Sequence, residues 1–182
     1  MAVYIIITII ILLIVYIFVL YNSFISLDNK VKEAFSTMDV YLKKRWDLIP
    51  NLVETVKGYA SHEQETFSEV TKLRNNNYES MSNEEKIITN EAVNTKIDRI
   101  MALKETYPEL KANENFKNLS AELKKIEDDI ANSRKYYNAV VRVYNNKVEM
   151  FPNSLIAKIF GYHSKKMFEA NNEERKNVKV EL

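Results

Sequence analysis

The amino-acid sequence predicts an all-α protein: an N-terminal transmembrane helix followed by an elongated antiparallel helical bundle, with three long helices plus a short fourth. Three observations carry this expectation. Val3 to Tyr21 is an uncharged apolar run; the 182 residues include only two glycines and three prolines; and beyond the run apolar residues recur at steps of three and four. An all-β or α/β chain of this length needs many more turn residues. Few breakers with abundant Lys, Glu, Leu, Ala and Ile imply a few long helices.

The apolar run, VYIIITIIILLIVYIFVLY, rises roughly 28 Å as a helix, which matches a hydrocarbon layer of about 30 Å. In lipid every backbone polar group must be paired within the segment, so helix is the spanning form even for β-branched isoleucine. Tyr4 and Tyr21 put amphipathic rings at the two headgroup levels. A cleavable signal peptide would need a basic leader, a shorter apolar core and a small-x-small exit, whereas this run exits through Tyr21-Asn22-Ser23-Phe24-Ile25. An uncleaved anchor in the lipid bilayer is expected. No Lys or Arg precedes the run, while Lys30, Lys32, Lys43 and Lys44 follow it. The positive-inside bias therefore predicts an outside N-terminus and a cytoplasmic helical domain.

Composition narrows the function. The 26 basic and 25 acidic side chains all lie beyond residue 27 and nearly cancel. A nucleic-acid binder would show a net basic face, so no nucleic-acid partner is expected. The absence of cysteine excludes disulfides, thiolate metal sites and a Cys nucleophile.

Val31, Phe35, Met38, Leu42, Ile49, Leu52, Val56, Tyr59, Phe67, Val70 and Leu73 form one stripe over residues 30–75, at the period of left-handed helix packing. The stripe runs through Pro50, which predicts a kink there, and Gly58 is the better place for a break. Ser82-Asn83-Glu84-Glu85 reads as a capping box that opens a second helix, closed by Pro108. The third stripe is Phe116, Leu119, Leu123, Ile126, Ile130, Ser133, Tyr137, Val140, Tyr144, Val148 and Phe151, with Pro152 closing it. If 108–114 is extended, it adds roughly 20 Å, so the third helix can start near the membrane and run parallel to the first. NSLIAKIFGY, residues 153–162, is expected as the short fourth helix. The domain reading is residues 1–24 anchor, 25–163 bundle and 164–182 charged tail, frayed from Asn171 onward.

Several irregular motifs carry a family resemblance. Lys43-Lys44-Arg45-Trp46-Asp47-Leu48-Ile49-Pro50-Asn51-Leu52-Val53, then Val56-Lys57-Gly58-Tyr59-Ala60 and His62-Glu63, resemble the first helix of the LemA family. Tyr107-Pro108-Glu109-Leu110-Lys111-Ala112-Asn113 with Phe116 is similar to that family's loop into its third helix, and Arg134, Tyr137-Asn138, Tyr144-Asn145 and Phe151-Pro152 to the end of that helix. The resemblance implies a bacterial membrane-anchored protein with a long antiparallel helical bundle. It implies no enzymatic activity.

The candidate site residues are the polar groups that interrupt or flank the stripes. Arg45 stands between Leu42 and Ile49, and Glu63 between Tyr59 and Phe67; Arg134, Asn138 and Asn145 sit beside the third stripe. With Asp47, Asn51, Glu54 and Glu127 they make the structural polar set. A parallel register pairs Arg45 with Glu127, and Arg134 with Glu54 or Glu63, in contacts that fix register. The rival reading is a polar ligand site lined by Arg134, Tyr137 and Asn138. Tyr136, Tyr137, Tyr144 and Tyr162 with Phe160 are expected as an aromatic partner surface at the far end; the alternative is that Tyr137 and Tyr144 are core rings with hydrogen-bonded hydroxyls. His62-Glu63 lacks the second histidine at residue 66 that a helical metal site needs, so no metal or cofactor is expected. No catalytic constellation can be assembled, so the chain reads as a non-enzymatic scaffold or interaction protein. It is expected to be a homo-oligomer associating through its bundle, with an unidentified protein partner. The alternative is a signalling module relaying motion from the span.

Overall fold

The computed structural model describes residues 1–74 and 77–168, apart from the side chains of Thr66, Leu73 and Arg74. Six α-helices are present among them: α1 (Ala2–Lys57), α2 (Gln64–Arg74), α3 (Asn83–Thr106), α4 (Pro108–Ala112), α5 (Glu114–Glu149) and α6 (Asn153–Ile159), with a 3₁₀ turn at Tyr78–Ser80. The described residues contain no strand. The chain divides into two compact units: a terminal unit, Met1–Ala34 with Lys135–Leu182, and a central unit, Phe35–Arg134.

In the central unit the expected stripe over residues 30–75 is split. α1 continues through Pro50 and stops at Lys57, where Gly58 ends it and the Tyr59 and Ala60 amides both bond to the Val56 carbonyl. α2 then turns back along α1, so that Val70 lies with Ile49, Pro50 and Val53 along one groove. The Tyr78 hydroxyl donates to Asp39 at 2.6 Å, and its ring packs on Trp46. α3 opens with the expected capping box: the Ser82 hydroxyl accepts from the Glu85 amide, and the Glu85 carboxylate accepts from the Ser82 amide. Lys86 pairs with Asp39 near the start of α3, Lys96 and Arg99 with Glu69 further along.

The expected extended link over 108–114 is replaced by α4. Pro108 occupies the first turn, where its fixed φ and missing amide suit a helix start. Asn113 then caps α5 by accepting from the Phe116 amide, and it donates to the Tyr59 hydroxyl at 2.8 Å. α5 therefore begins beside the end of α1, not at its beginning. Fourteen residues on, Glu127 is within electrostatic reach of Arg45, fourteen residues back along α1 from Tyr59. The two helices are antiparallel in this unit, and the parallel topology is corrected. α1, α2, α3 and α5 alternate in direction around a core of Met38, Leu42, Leu52, Val56, Val70, Ile100 and Leu110.

The terminal unit pairs the first part of α1 with the end of α5 and α6. Leu20, Phe24, Val31 and Ala34 of α1 are buried, as are Tyr137, Val141, Tyr144 and Val148 of α5. Val141, not Val140, continues the buried stripe of α5, and Phe151 is exposed. Residues Val3 to Val19 are exposed almost throughout, and α1 is long and apolar enough to cross a membrane. The tail from Asn171 lies outside the described residues.

Candidate functional site

The polar residues fall into two constellations, one in each unit. In the central unit Arg45 is 3% exposed, which requires its charge to be well served. One α1 turn separates it from Leu42 and from Ile49, so the guanidinium enters the core from the apolar stripe itself. α3 supplies the acceptors. Arg45 bonds to the side-chain carbonyls of Asn90 and Asn94 and, at 3.1 Å, to the Asn90 backbone carbonyl. Asn90 and Asn94 are four residues apart and so share a helix face. Burial pulls the Arg45 pKa down to about 10; Glu127 opposes this, and Arg134 adds to it.

The expected partnership of Arg45 is thus corrected in kind. Its hydrogen bonds go to neutral amides of α3, and exposed Glu127 contributes at longer range. Arg134 lies close enough to Arg45 to lower its pKa. In the antiparallel register Arg134 is level with residue 38, roughly 24 Å of helix axis from Glu54, so the pairing with Glu54 or Glu63 is overturned. Glu63 instead accepts from the Tyr107 hydroxyl at 3.4 Å. Asp47 pairs with Lys43 on the surface at 2.5 Å, and Asn51 and Glu54 are exposed. None of these three joins the Arg45 cluster. A side-chain amide, Asn90 Nδ2, is buried without a hydrogen-bond partner, beside a cavity of about 10 Å³ bordered by Arg45, Trp46 and Tyr78.

The terminal unit holds the more specific arrangement. Asn138 and Asn145 are seven residues apart, two turns of α5, and each reads the backbone of one residue in the segment after α6. Asn145 accepts from the Lys165 amide at 2.8 Å and donates to the Lys165 carbonyl at 2.9 Å. Asn138 does the same with Phe168, both bonds at 2.8 Å. Seven helical residues rise roughly 10.5 Å and three extended residues span about 10 Å, so the two spacings match. A side-chain amide offers one acceptor and one donor in a plane, the same pair that a neighbouring β-strand would offer. The segment 163–168 is therefore a strap laid along α5, antiparallel to it.

Side chains fasten the strap at both ends. The Phe168 ring is buried edge-on against Tyr137 at 5.7 Å, and the Tyr137 hydroxyl donates to the Lys166 carbonyl. Lys165 places its ammonium over the Tyr144 ring and pairs with Asp28 of α1 at 2.5 Å. Burial acts to raise the Asp28 pKa, but Lys165 and Lys32 outweigh it and hold the carboxyl below its ordinary value. Burial pushes the Tyr137 and Tyr144 hydroxyls up.

The expected aromatic surface divides accordingly. Tyr137 and Tyr144 are core rings beneath the strap, and Tyr136 is exposed. Tyr162 packs on Phe24 and Tyr21, and Phe160 on Tyr21. These two rings sit beside the end of the apolar run, not at the far end expected for them. Asp28, Asn90, Asn94 and the strap itself were not among the expected site residues. The i, i+7 spacing of Asn138 and Asn145 is the one sequence signal that points to the strap.

The model of the LemA family matches residues 34–182, beginning after the apolar run. The chain belongs to the LemA family. It is 28% identical over 162 residues to protein LemA of Metamycoplasma hominis, covering 86% of this chain and 72% of that one. It is 23% identical over 175 residues to magnetosome proteins MamQ 1 and MamQ 2 of Paramagnetospirillum magneticum, covering 82% of this chain. This LemA family chain spans 64% of the length of those two proteins, under two thirds. Arg45, Asn138 and Asn145, singled out as family motif residues, are the three that anchor the two polar constellations of the LemA family chain.

Proposed function

We propose that this chain is a non-enzymatic, membrane-anchored helical interaction protein, held by Val3–Tyr21 and self-associating through its bundle. The observation that carries the reading is α1 itself. One helix of 56 residues begins as an exposed apolar segment and ends as a buried stripe in a charged bundle. The use of the polar groups supports the non-enzymatic part: Arg45, Asn138, Asn145 and Tyr137 are turned to the chain's own amides and carbonyls. Relatives named for a cell structure rather than a reaction fit it as well. The lysines that follow the run support a cytoplasmic helical domain through the positive-inside bias.

Subunit counting tests the proposal. The full chain carrying one fluorophore, observed in native membranes, should bleach in two or more steps per spot. Single-step bleaching at all expression levels would contradict self-association.

A second reading, a signalling relay, is favoured by one feature: α1 shows no break over residues 22–29. Inserting one alanine there rotates the bundle about 100° relative to the span in a continuous helix. A relay should lose its output, whereas a tethered interaction protein should keep its oligomer.

A further inference from the structure

The corner between α5 and α6 exposes large apolar side chains where a soluble protein would place polar ones. Met150 is 62% exposed, Phe151 79%, Leu155 59% and Ile159 78%. Leu155 and Ile159 are four residues apart and share one face of α6, while Ala157 on the other side is buried. Contiguous exposed apolar surface of this kind marks a contact that is missing from the isolated chain.

Position says what that contact is. The Tyr16 hydroxyl donates to the Asn153 side-chain carbonyl at 3.2 Å, and the Phe160 ring lies 4.9 Å from that of Tyr21. Tyr16 is five residues inside the apolar run, roughly 7.5 Å of helix axis from its Tyr21 end. The start of α6 is therefore level with residues that lie within the membrane if Val3–Tyr21 spans it. The bond also gives a tyrosine hydroxyl a partner at a depth where an unpaired one is costly.

We propose that the α5–α6 corner, residues 150–160, is a second membrane-contact element, seated in the headgroup region of the leaflet at the Tyr21 end of the span. The proposal rests on the reading of Val3–Tyr21 as a span, and its occupant is the lipid surface. Phe151, Leu155 and Ile159 face the acyl boundary. Lys158, exposed between them, reaches its ammonium toward lipid phosphates, and Phe160 joins Tyr21 at the aromatic level of the interface.

The chain has no cysteine, so single labels are unambiguous. Full-length Leu155→Cys and Ile159→Cys variants, with Glu122→Cys as a water reference and Ile10→Cys as a span reference, carry an environment-sensitive fluorophore in phosphatidylcholine–phosphatidylglycerol vesicles. The Leu155 and Ile159 labels should show blue-shifted emission, quenching by lipids spin-labelled near the headgroup, and several-fold less iodide quenching than the Glu122 label. Iodide quenching equal to that of Glu122, with the Ile10 label quenched by lipid, would overturn the corner while leaving the span intact. Protection from both quenchers would assign the face to a protein neighbour and overturn the proposal. An Ile10 label that lipid does not quench would remove the span and the corner together.

Discussion

Removing the Asn145 side chain tests the strap most sharply, because the Lys165 amide has a single acceptor to lose. In Asn145→Ala the Lys165 amide and carbonyl both lose their partners on α5. Each bond contributes about 0.5–1.5 kcal/mol net, and the freed groups can turn to water, so the pair is worth about 2 kcal/mol. At 1.4 kcal/mol per decade, opening of the strap should become about 30-fold more frequent. Hydrogen exchange on the full chain in lipid nanodiscs reads this residue by residue. The Lys165 amide should exchange about 30-fold faster, and that of Phe168 should follow in part, since its own clamp at Asn138 remains. The Tyr162 amide, bonded to the Ala157 carbonyl at 2.9 Å, is the internal control and should not change. Unprotected Lys165 and Phe168 amides in the unsubstituted protein, or unchanged rates in Asn145→Ala, would refute the reasoning.

Three further outcomes are expected. Arg45→Met should destabilise the full chain by about 3 kcal/mol in chemical denaturation, because Asn90 and Asn94 lose their buried donor; its coupling to Asn90→Leu in a double-mutant cycle should exceed that to Glu127→Met, which should stay below about 1 kcal/mol. Asp28 has a depressed carboxyl pKa in the folded chain, so its contribution is present above the ordinary value of 3.8 and lost as pH falls through the lower folded value. Exchange at Lys165 should accordingly accelerate below that pH, and Asp28→Asn should remove the acid dependence. Gly161 has φ +76°, a conformation that costs a side-chain-bearing residue about 1–2 kcal/mol, so Gly161→Ala should lower the thermal midpoint and loosen the strap that follows it.

Much of this fold was legible because its signals are local. The capping box at Ser82 and Glu85 needs only four residues, and the uncharged run to Tyr21 needs only a count. The interruption of a stripe by Arg45 marked a buried charge, although the register paired it with Glu127 and not with the amides it bonds. Its partners were not legible: Asn90 and Asn94 lie on a helix whose register against α1 depends on where the chain turns. Pro108 reads as a terminator, although the same fixed φ makes it an initiator. The direction of α5 hinged on Gly58: the single stripe over residues 30–75 shows no reversal, whereas the turn there folds α2 back along α1 and leaves α5 antiparallel to it. The strap stayed hidden for another reason. Backbone-reading asparagines leave no apolar period in the segment they hold, so residues 164–168 look like the start of a charged tail.

The proposed function requires a bundle that a membrane anchor brings to other proteins. Affinity capture of the full chain after crosslinking in native membranes tests it most directly. Chain-to-chain crosslinks between central-unit lysines such as Lys57 and Lys72, together with a reproducible protein partner, are the expected result. A chain recovered from the membrane fraction crosslinked to no protein, itself included, would contradict it.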